Sequence, residues 1–249
     1  MIDLHSHVLH GLDDGAKNLD EAVAICRAAA ADGIRVLAAT PHVRADYPTT
    51  ADAMEAALSE VQAAAADIVR LLPGGELDLN ELQRPPEELA RFGLGGNPHY
   101  LLIEMPYVGW PLDLGEKLFR LRASGITPVL AHPERNPDVQ AHPELLEPIV
   151  AGGALLQLTA AAVDGRLGSN TQRCARTLLD RRLAHLIASD AHAPGVRAIG
   201  MADAARAVGD AALARWLTVD VPRAIVDGDV VPTFPEPMTR RRRFRRGRG

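Results

Sequence analysis

Cysteine is nearly absent from this chain. Two cysteines, Cys26 and Cys174, stand far apart in 249 residues, and neither belongs to a CxxC pair. That excludes a disulfide framework and suits a reducing compartment. No uninterrupted apolar run approaches the roughly 18 residues a membrane-spanning helix needs. The opening MIDLHSH lacks a charged segment followed by an apolar one, so no signal peptide is expected and a cytoplasmic location is. GxSxG and GxxxxGK[ST] are both missing, which removes support for serine-hydrolase and P-loop chemistry. Cysteine-dependent phosphoryl transfer needs an arginine six residues after the nucleophile, and those positions hold Asp32 and Asp180.

Lysine is as scarce as cysteine. Only Lys17 and Lys117 stand among 27 basic residues, against 32 acidic ones. The formal net charge of −5 hides a split. Residues 240–249 read RRRRFRRGRG, with seven arginines and no acid, so the remainder carries 20 basic and 32 acidic residues. An acidic body argues against nucleic-acid binding through the body. The tail alone could touch an anionic surface, which would make the protein membrane-peripheral.

What is present is a rhythm. Apolar, β-branched runs start near Ile2, Val36, Val69, Leu101, Thr127, Ala154 and His185, at intervals of 26 to 34 residues. That interval matches a strand, a helix and two loops. Helical stretches are expected over 19–32, 50–67, 112–124, 143–151, 170–182 and 197–208. Asn18 with Glu21 forms a capping box at the first, and Gly33 closes it. Residues 77–99 break the rhythm with loop and a short helix after Pro85-Pro86, and 209–229 read as one or two closing helices. Seven βα units predict an α/β fold with a parallel sheet, most simply a closed or nearly closed barrel; an open doubly wound sheet is the alternative. One domain is expected over 1–230, with a disordered tail over 231–249.

Metal-ligating residue types fall at the ends of these runs. His5-Ser6-His7 ends the first, with Asp14 in the following loop. Thr40-Pro41-His42 ends the second, Gly74-Gly75-Glu76 the third and LLIE, finishing on Glu104, the fourth. His132-Pro133-Glu134-Arg135 ends the fifth and Ser189-Asp190-Ala191-His192 the seventh. Carboxyl ends of parallel strands share one face, so six of seven units deliver a His, Asp or Glu to one mouth. Strand alternation puts His5 and His7 on one side, as a chelating pair requires, and likewise Asp190 and His192. Five histidines and four carboxylates exceed the needs of one ion. Two or three divalent ions are expected, roughly 3.5–4 Å apart, with imidazole suiting Zn, Mn and Fe. Asp13 is an alternative ligand or, more simply, a supporting or turn residue. His10, His99, His142 and His185 read as surface, turn or structural residues, with substrate contact the lesser alternative for His10. Arg135 and Arg197 should sit on loops at the same mouth, where guanidinium suits bidentate phosphate contact.

In order and spacing, MIDLHSH, GLDDGA, ATPH, LPGGE, LIEM, AHPER and ASDAH resemble the PHP (polymerase and histidinol phosphatase) domain. Within it the chain is most similar to the bacterial PHP-type protein-tyrosine phosphatases of capsule and exopolysaccharide loci, over about residues 1–230. The resemblance implies a distorted (βα)7 TIM-like barrel with a trinuclear centre, usually Mn²⁺. It implies one ion on His5, His7, Glu76 and Asp190, a second on Glu76, Glu104 and His132, and a third on Asp14, His42 and His192. Arg135 and Arg197 would bind the phosphate. The counterpart enzyme dephosphorylates the tyrosine-rich tail of a membrane-associated autokinase. Val43 departs from the branch, which often has a second His after TPH, and the Arg tail is not a family feature.

The expectation is therefore a metal-dependent phosphomonoesterase acting on a phosphotyrosine protein. A histidinol-phosphate or other small phosphomonoester phosphatase is the alternative within enzymes, and a PHP nuclease or amidohydrolase-type hydrolase stands further off. A regulatory binding protein acting through the basic tail is the alternative of another class.

Overall fold

The computed structural model describes residues 1–193 and 197–236. The arginine run, with the surface contact expected of it, lies outside the described residues.

Among the described residues, ten short strands are all but one parallel. They are β1 (Ile2–Asp3), β2 (Val36–Ala38), β3 (His42–Arg44), β4 (Tyr47–Pro48), β5 (Arg70–Leu72), β6 (Glu76–Leu77), β7 (Tyr100–Glu104), β8 (Thr127–Ala131), β9 (Leu155–Thr159) and β10 (Leu186–Ala188). They form two sheets, β1-β2-β5 and β10-β9-β8-β7-β6-β3-β4, in which only the β3–β4 hairpin is antiparallel. A parallel bridge between Ser6 and Ala191 joins the last unit to the first. Asp190 N donates to His5 O at 2.8 Å and His7 N to Ala191 O at 2.8 Å. Ser6 also reaches the second unit, its hydroxyl donating to Ala38 O at 2.7 Å. His5 and His7 are thus held between the first and last units of the chain.

The second and third units each split in two, which the apolar runs alone do not predict. Pro41 has no N–H to continue a ladder, and Gly74-Gly75 lets the third unit bend in step. A Cβ on Gly75 would lie 2.7 Å from Phe92 Cδ1 and 3.1 Å from Val43 Cγ2. After this jog His42 pairs in register with Glu76, at the first residue of each new strand. Val43 is fully buried in the core, where a histidine would be an unpartnered polar group.

Helices Leu19–Ala31, Ala51–Ala64, Leu114–Ala123, Ser169–Asp180 and Met201–Val208 follow the expected stretches with shortened ends. Asn18 accepts from Glu21 N, while the Glu21 carboxylate accepts from Lys17 N, one residue before the cap. Gly33 follows at a φ of 87°, open to glycine at little cost. An unexpected helix, Pro137–Ala141, starts on Asn136, whose side chain accepts from Asp138 N and Val139 N. The closing segment runs Ala211–Arg215, a π-helical turn Trp216–Asp220, then Val221–Asp227. The wide turn precedes Pro222, which cannot donate to a carbonyl four residues back. Residues 231–236 have no regular structure, yet Trp216 Nε1 donates to Pro232 O at 3.0 Å and Phe234 packs on the Trp216 ring.

Both cysteines are buried and free. Burial pushes the Cys26 thiol up to about 11 and the Cys174 thiol to about 12, so neither is a nucleophile at neutral pH. Among the described residues no helix is long and apolar enough to cross a membrane.

Candidate metal centre

Four clusters of donor atoms, each with all its atoms within 4.8 Å of one another, lie at the carboxyl ends of the strands. They are His7-Asp14-His42-His192, His5-His7-Asp190, His5-Glu76-His132 and His42-Glu76-Glu104. Together they contain all nine ligands expected from sequence. The grouping differs from the one the resemblance implies: His132 sides with His5 and Glu76, whereas Glu104 sides with His42 and Glu76.

Glu76 is the hub. Its Oε2 lies 3.4 Å from His5 Nε2, 3.4 Å from His7 Nε2 and 3.0 Å from His42 Nδ1, and its Oε1 lies 2.8 Å from His132 Nε2. Asp190 Oδ1 sits 3.4 Å from His5 Nε2 and 3.2 Å from His7 Nε2. Asp14 Oδ1 is 3.2 Å from His192 Nε2 and 3.6 Å from His42 Nε2. Eight of the nine residues are buried; Asp14 alone is exposed, at the rim.

The hydrogen bonds around the histidines choose their tautomers. His5 Nδ1 faces Gln157 Oε1 at 2.8 Å and His7 Nδ1 faces Asp13 Oδ2 at 2.7 Å. Each Nδ1 must therefore carry the proton, leaving a lone pair on each Nε2. Those two Nε2 atoms face each other at 3.2 Å, an arrangement two neutral rings cannot satisfy by hydrogen bonding. Nearby, Glu76 Oε2 and His42 Nδ1 are buried without an aligned partner. Opposed lone pairs among converging carboxylates fit divalent cations.

Electrostatics say the same in protons. Burial works against a charged His7, but the Asp13 carboxylate and its neighbours Asp190 and Glu76 hold its pKa well above the ordinary value. Burial would raise Glu76, yet His5, His132 and His42 hold it well below the usual carboxylate range. Asp190 is likewise held low against burial, by Arg135 and His5. Burial and the Glu76 charge push Glu104 up. Burial, with Arg135 beside it, takes His132 down to about 4. Where carboxylates draw protons onto His5 and His7, a metal ion can replace those protons.

Among the described residues, two of the three non-glycine positions at positive φ are His132 (37°) and Asp190 (52°). Left-handed backbone at such residues is uncommon, and here it falls on ligand positions.

The arginines flank the cluster. Arg135 Nη2 donates to Asp190 Oδ2 at 2.5 Å and to Thr159 Oγ1 at 2.9 Å, while its buried Nε has no partner among the described residues. Arg197 Nη1 donates to Asp14 Oδ2 at 3.0 Å, and its Nη2 lies 2.5 Å from His192 Nε2.

Comparison with known proteins decides the family. The family described as capsular polysaccharide synthesis, CpsB/CapC, matches residues 1–224. This chain belongs to the CpsB/CapC family. CapC of Staphylococcus aureus is 32% identical over 199 residues, 77% of each chain. The tyrosine-protein phosphatase YwqE of Bacillus subtilis is 33% identical over 197 residues, again 77% of each. A solved structure from the work on YwqE and on CpsB of Streptococcus pneumoniae, described as metal-dependent tyrosine phosphatases, matches with a TM-score of 0.86. It is 28% identical and covers 96% of this chain and 100% of that one.

Residues that carry no motif of their own also belong here. Gln157 orients His5 and was legible as the lone polar residue inside the apolar run LLQLT. Arg44 Nη1 donates to both Glu104 oxygens, at 3.1 and 3.2 Å. Asp13 Oδ2 accepts from His7 Nδ1 at 2.7 Å and from His42 N at 2.9 Å. Tyr47 and Tyr107 stack on His42 and His132. His10 lies 3.4 Å from Glu60. His142 pairs with exposed Glu144, and His185 accepts from Leu156 N.

Proposed function

We propose that this chain is a metal-dependent phosphomonoesterase, a protein-tyrosine phosphatase acting on a membrane-associated tyrosine kinase in capsular or exopolysaccharide synthesis. The observation carrying the reading is the pairing of the Glu76-centred ligand cluster with two arginines at its edge, in a family whose relatives are named tyrosine phosphatases. The donor set suits two or three divalent ions on His5, His7, Asp14, His42, Glu76, Glu104, His132, Asp190 and His192, and the family resemblance puts Mn²⁺ before Fe or Zn. When bound, such ions neutralise phosphoryl charge and acidify water.

The residues of the chain do the rest. Gln157 and Asp13 keep the Nε2 lone pairs of His5 and His7 turned inward. Arg135 offers its unpartnered Nε–H, and Arg197 its exposed guanidinium, to phosphate oxygens. No side chain is needed as a covalent phosphate carrier.

The test compares a phosphotyrosyl peptide, histidinol phosphate and p-nitrophenyl phosphate with added Mn²⁺. The phosphotyrosyl peptide should give the highest kcat/KM, and preference for histidinol phosphate would overturn the reading. The protein is proposed to be cytoplasmic, with a folded body over 1–230 and a tail over 231–249 that brings it to an anionic surface. Deleting 240–249 should lower liposome binding at low salt but not at high salt; equal binding at both would reject that role.

A further inference from the structure

Three tyrosines occur in the chain, Tyr47, Tyr100 and Tyr107, and two of them lie face to face with histidines of the centre. The Tyr47 ring stacks on His42 at 5.7 Å and 13°, with the Arg44 guanidinium 5.1 Å from its centroid. Tyr107 stacks on His132 at 5.8 Å and 16°. The two differ in what they leave open. Tyr47 is half-buried on its own hairpin, whereas Tyr107 is 46% exposed and begins a run of exposed apolar surface with Val108 and Leu112. Exposed large apolar side chains are few elsewhere among the described residues.

The turn carrying Tyr107 is fastened to the arginine loop. Asn136, directly after Arg135, donates from Nδ2 to Pro106 O at 2.7 Å and to Gly109 O at 3.0 Å. Its Oδ1 meanwhile accepts from Asp138 N and Val139 N. One side chain therefore ties the turn that carries Tyr107 to the loop that carries Arg135. The phenol feels the charges of Arg135, Glu76, Asp190 and Glu104, all of them residues of the centre.

From this geometry we infer that Tyr107 is a specificity-determining residue, a platform on which the aryl ring of a phosphomonoester stacks while its phosphate meets Arg135. The inference rests on the phosphatase reading and adds to it the residue that separates aryl from alkyl substrates. A fixed ring with an open surface beside a phosphate-binding arginine suits an aromatic leaving group, since offset or edge contacts between rings are favourable. The neighbouring Val108 and Leu112 extend that surface for apolar side chains flanking the phosphorylated residue.

Leaving-group chemistry favours aryl esters whatever the pocket, so the test uses inhibitors that do not react. Phenylphosphonate and methylphosphonate are compared as competitive inhibitors of p-nitrophenyl phosphate turnover by the Mn²⁺-loaded protein. Wild type should bind phenylphosphonate more tightly. Tyr107→Ala should cut the ratio of the two Ki values by about tenfold, and Tyr107→Phe should keep it. An unchanged ratio in Tyr107→Ala would overturn the inference and leave the phosphatase reading standing. A ratio lost equally in Tyr107→Phe would overturn it too, since the hydroxyl would then matter and not the ring face. Absence of any phosphomonoester turnover by the wild type would sink the phosphatase reading, and this inference with it.

Discussion

Asp13→Asn is the substitution that separates orientation of a ligand from ligation itself. Asp13 has two oxygens and three donors around them: His7 Nδ1 at 2.7 Å and His42 N at 2.9 Å on Oδ2, and Gly15 N at 2.9 Å on Oδ1. Asparagine has one oxygen. With its oxygen toward His7, its amide opposes Gly15 N. With the amide toward His7, it opposes both His7 Nδ1 and His42 N, and His7 must turn over or change tautomer. Removing such a partner from a metal-bound histidine typically costs ten- to a hundredfold in metal affinity, about 1.4 to 2.7 kcal/mol. The unsatisfied donor adds about 1 to 3 kcal/mol of lost stability. The assay is Mn²⁺ titration by calorimetry or chelator competition, with thermal unfolding of the same variant alongside. Metal affinity within twofold of wild type would refute the argument that Asp13 sets the His7 lone pair.

Other expectations follow from the same structure. Arg135→Ala should lower kcat/KM for a phosphotyrosyl peptide by about a hundredfold, roughly 3 kcal/mol of transition-state contact; unchanged kinetics would remove Arg135 from the site. Gly75→Ala would push a methyl group against Phe92 and Val43 and should lower unfolding free energy by about 1 to 3 kcal/mol, measured by urea melts. His185, remote from the centre and accepting from Leu156 N at 3.2 Å, has its pKa lowered by burial to about 4 from the ordinary 6.5. The unfolded chain then binds the extra proton first, so this contribution is complete above pH 6.5 and is lost as pH falls toward 4. Up to about 3 kcal/mol is at stake, and His185→Gln should flatten that part of the pH–stability curve.

The clustered ligands were legible because each sits in a short motif at the end of an apolar run, and parallel strands bring such ends together. The supporting residues were harder to read. Gln157 is not a ligand type, so the sixth unit looked empty, although it fixes His5. Arg44 and Tyr107 carry no motif; their roles come from the hairpin after His42 and the turn after Glu104, which only three-dimensional placement reveals. Pro41 and Gly74-Gly75 read in sequence as the ends of two apolar runs, yet two new strands start there with His42 and Glu76 in register. The helix Pro137–Ala141 escaped notice because five residues carry too little periodicity.

Metal dependence is the central claim, and reconstitution tests it most directly. The protein is stripped with chelator, dialysed, and titrated with Mn²⁺ while bound metal and phosphotyrosyl-peptide turnover are followed together. Turnover should vanish on stripping and return as two or three ions bind per chain. Full turnover by the stripped protein, or binding of ions without return of activity, would contradict it.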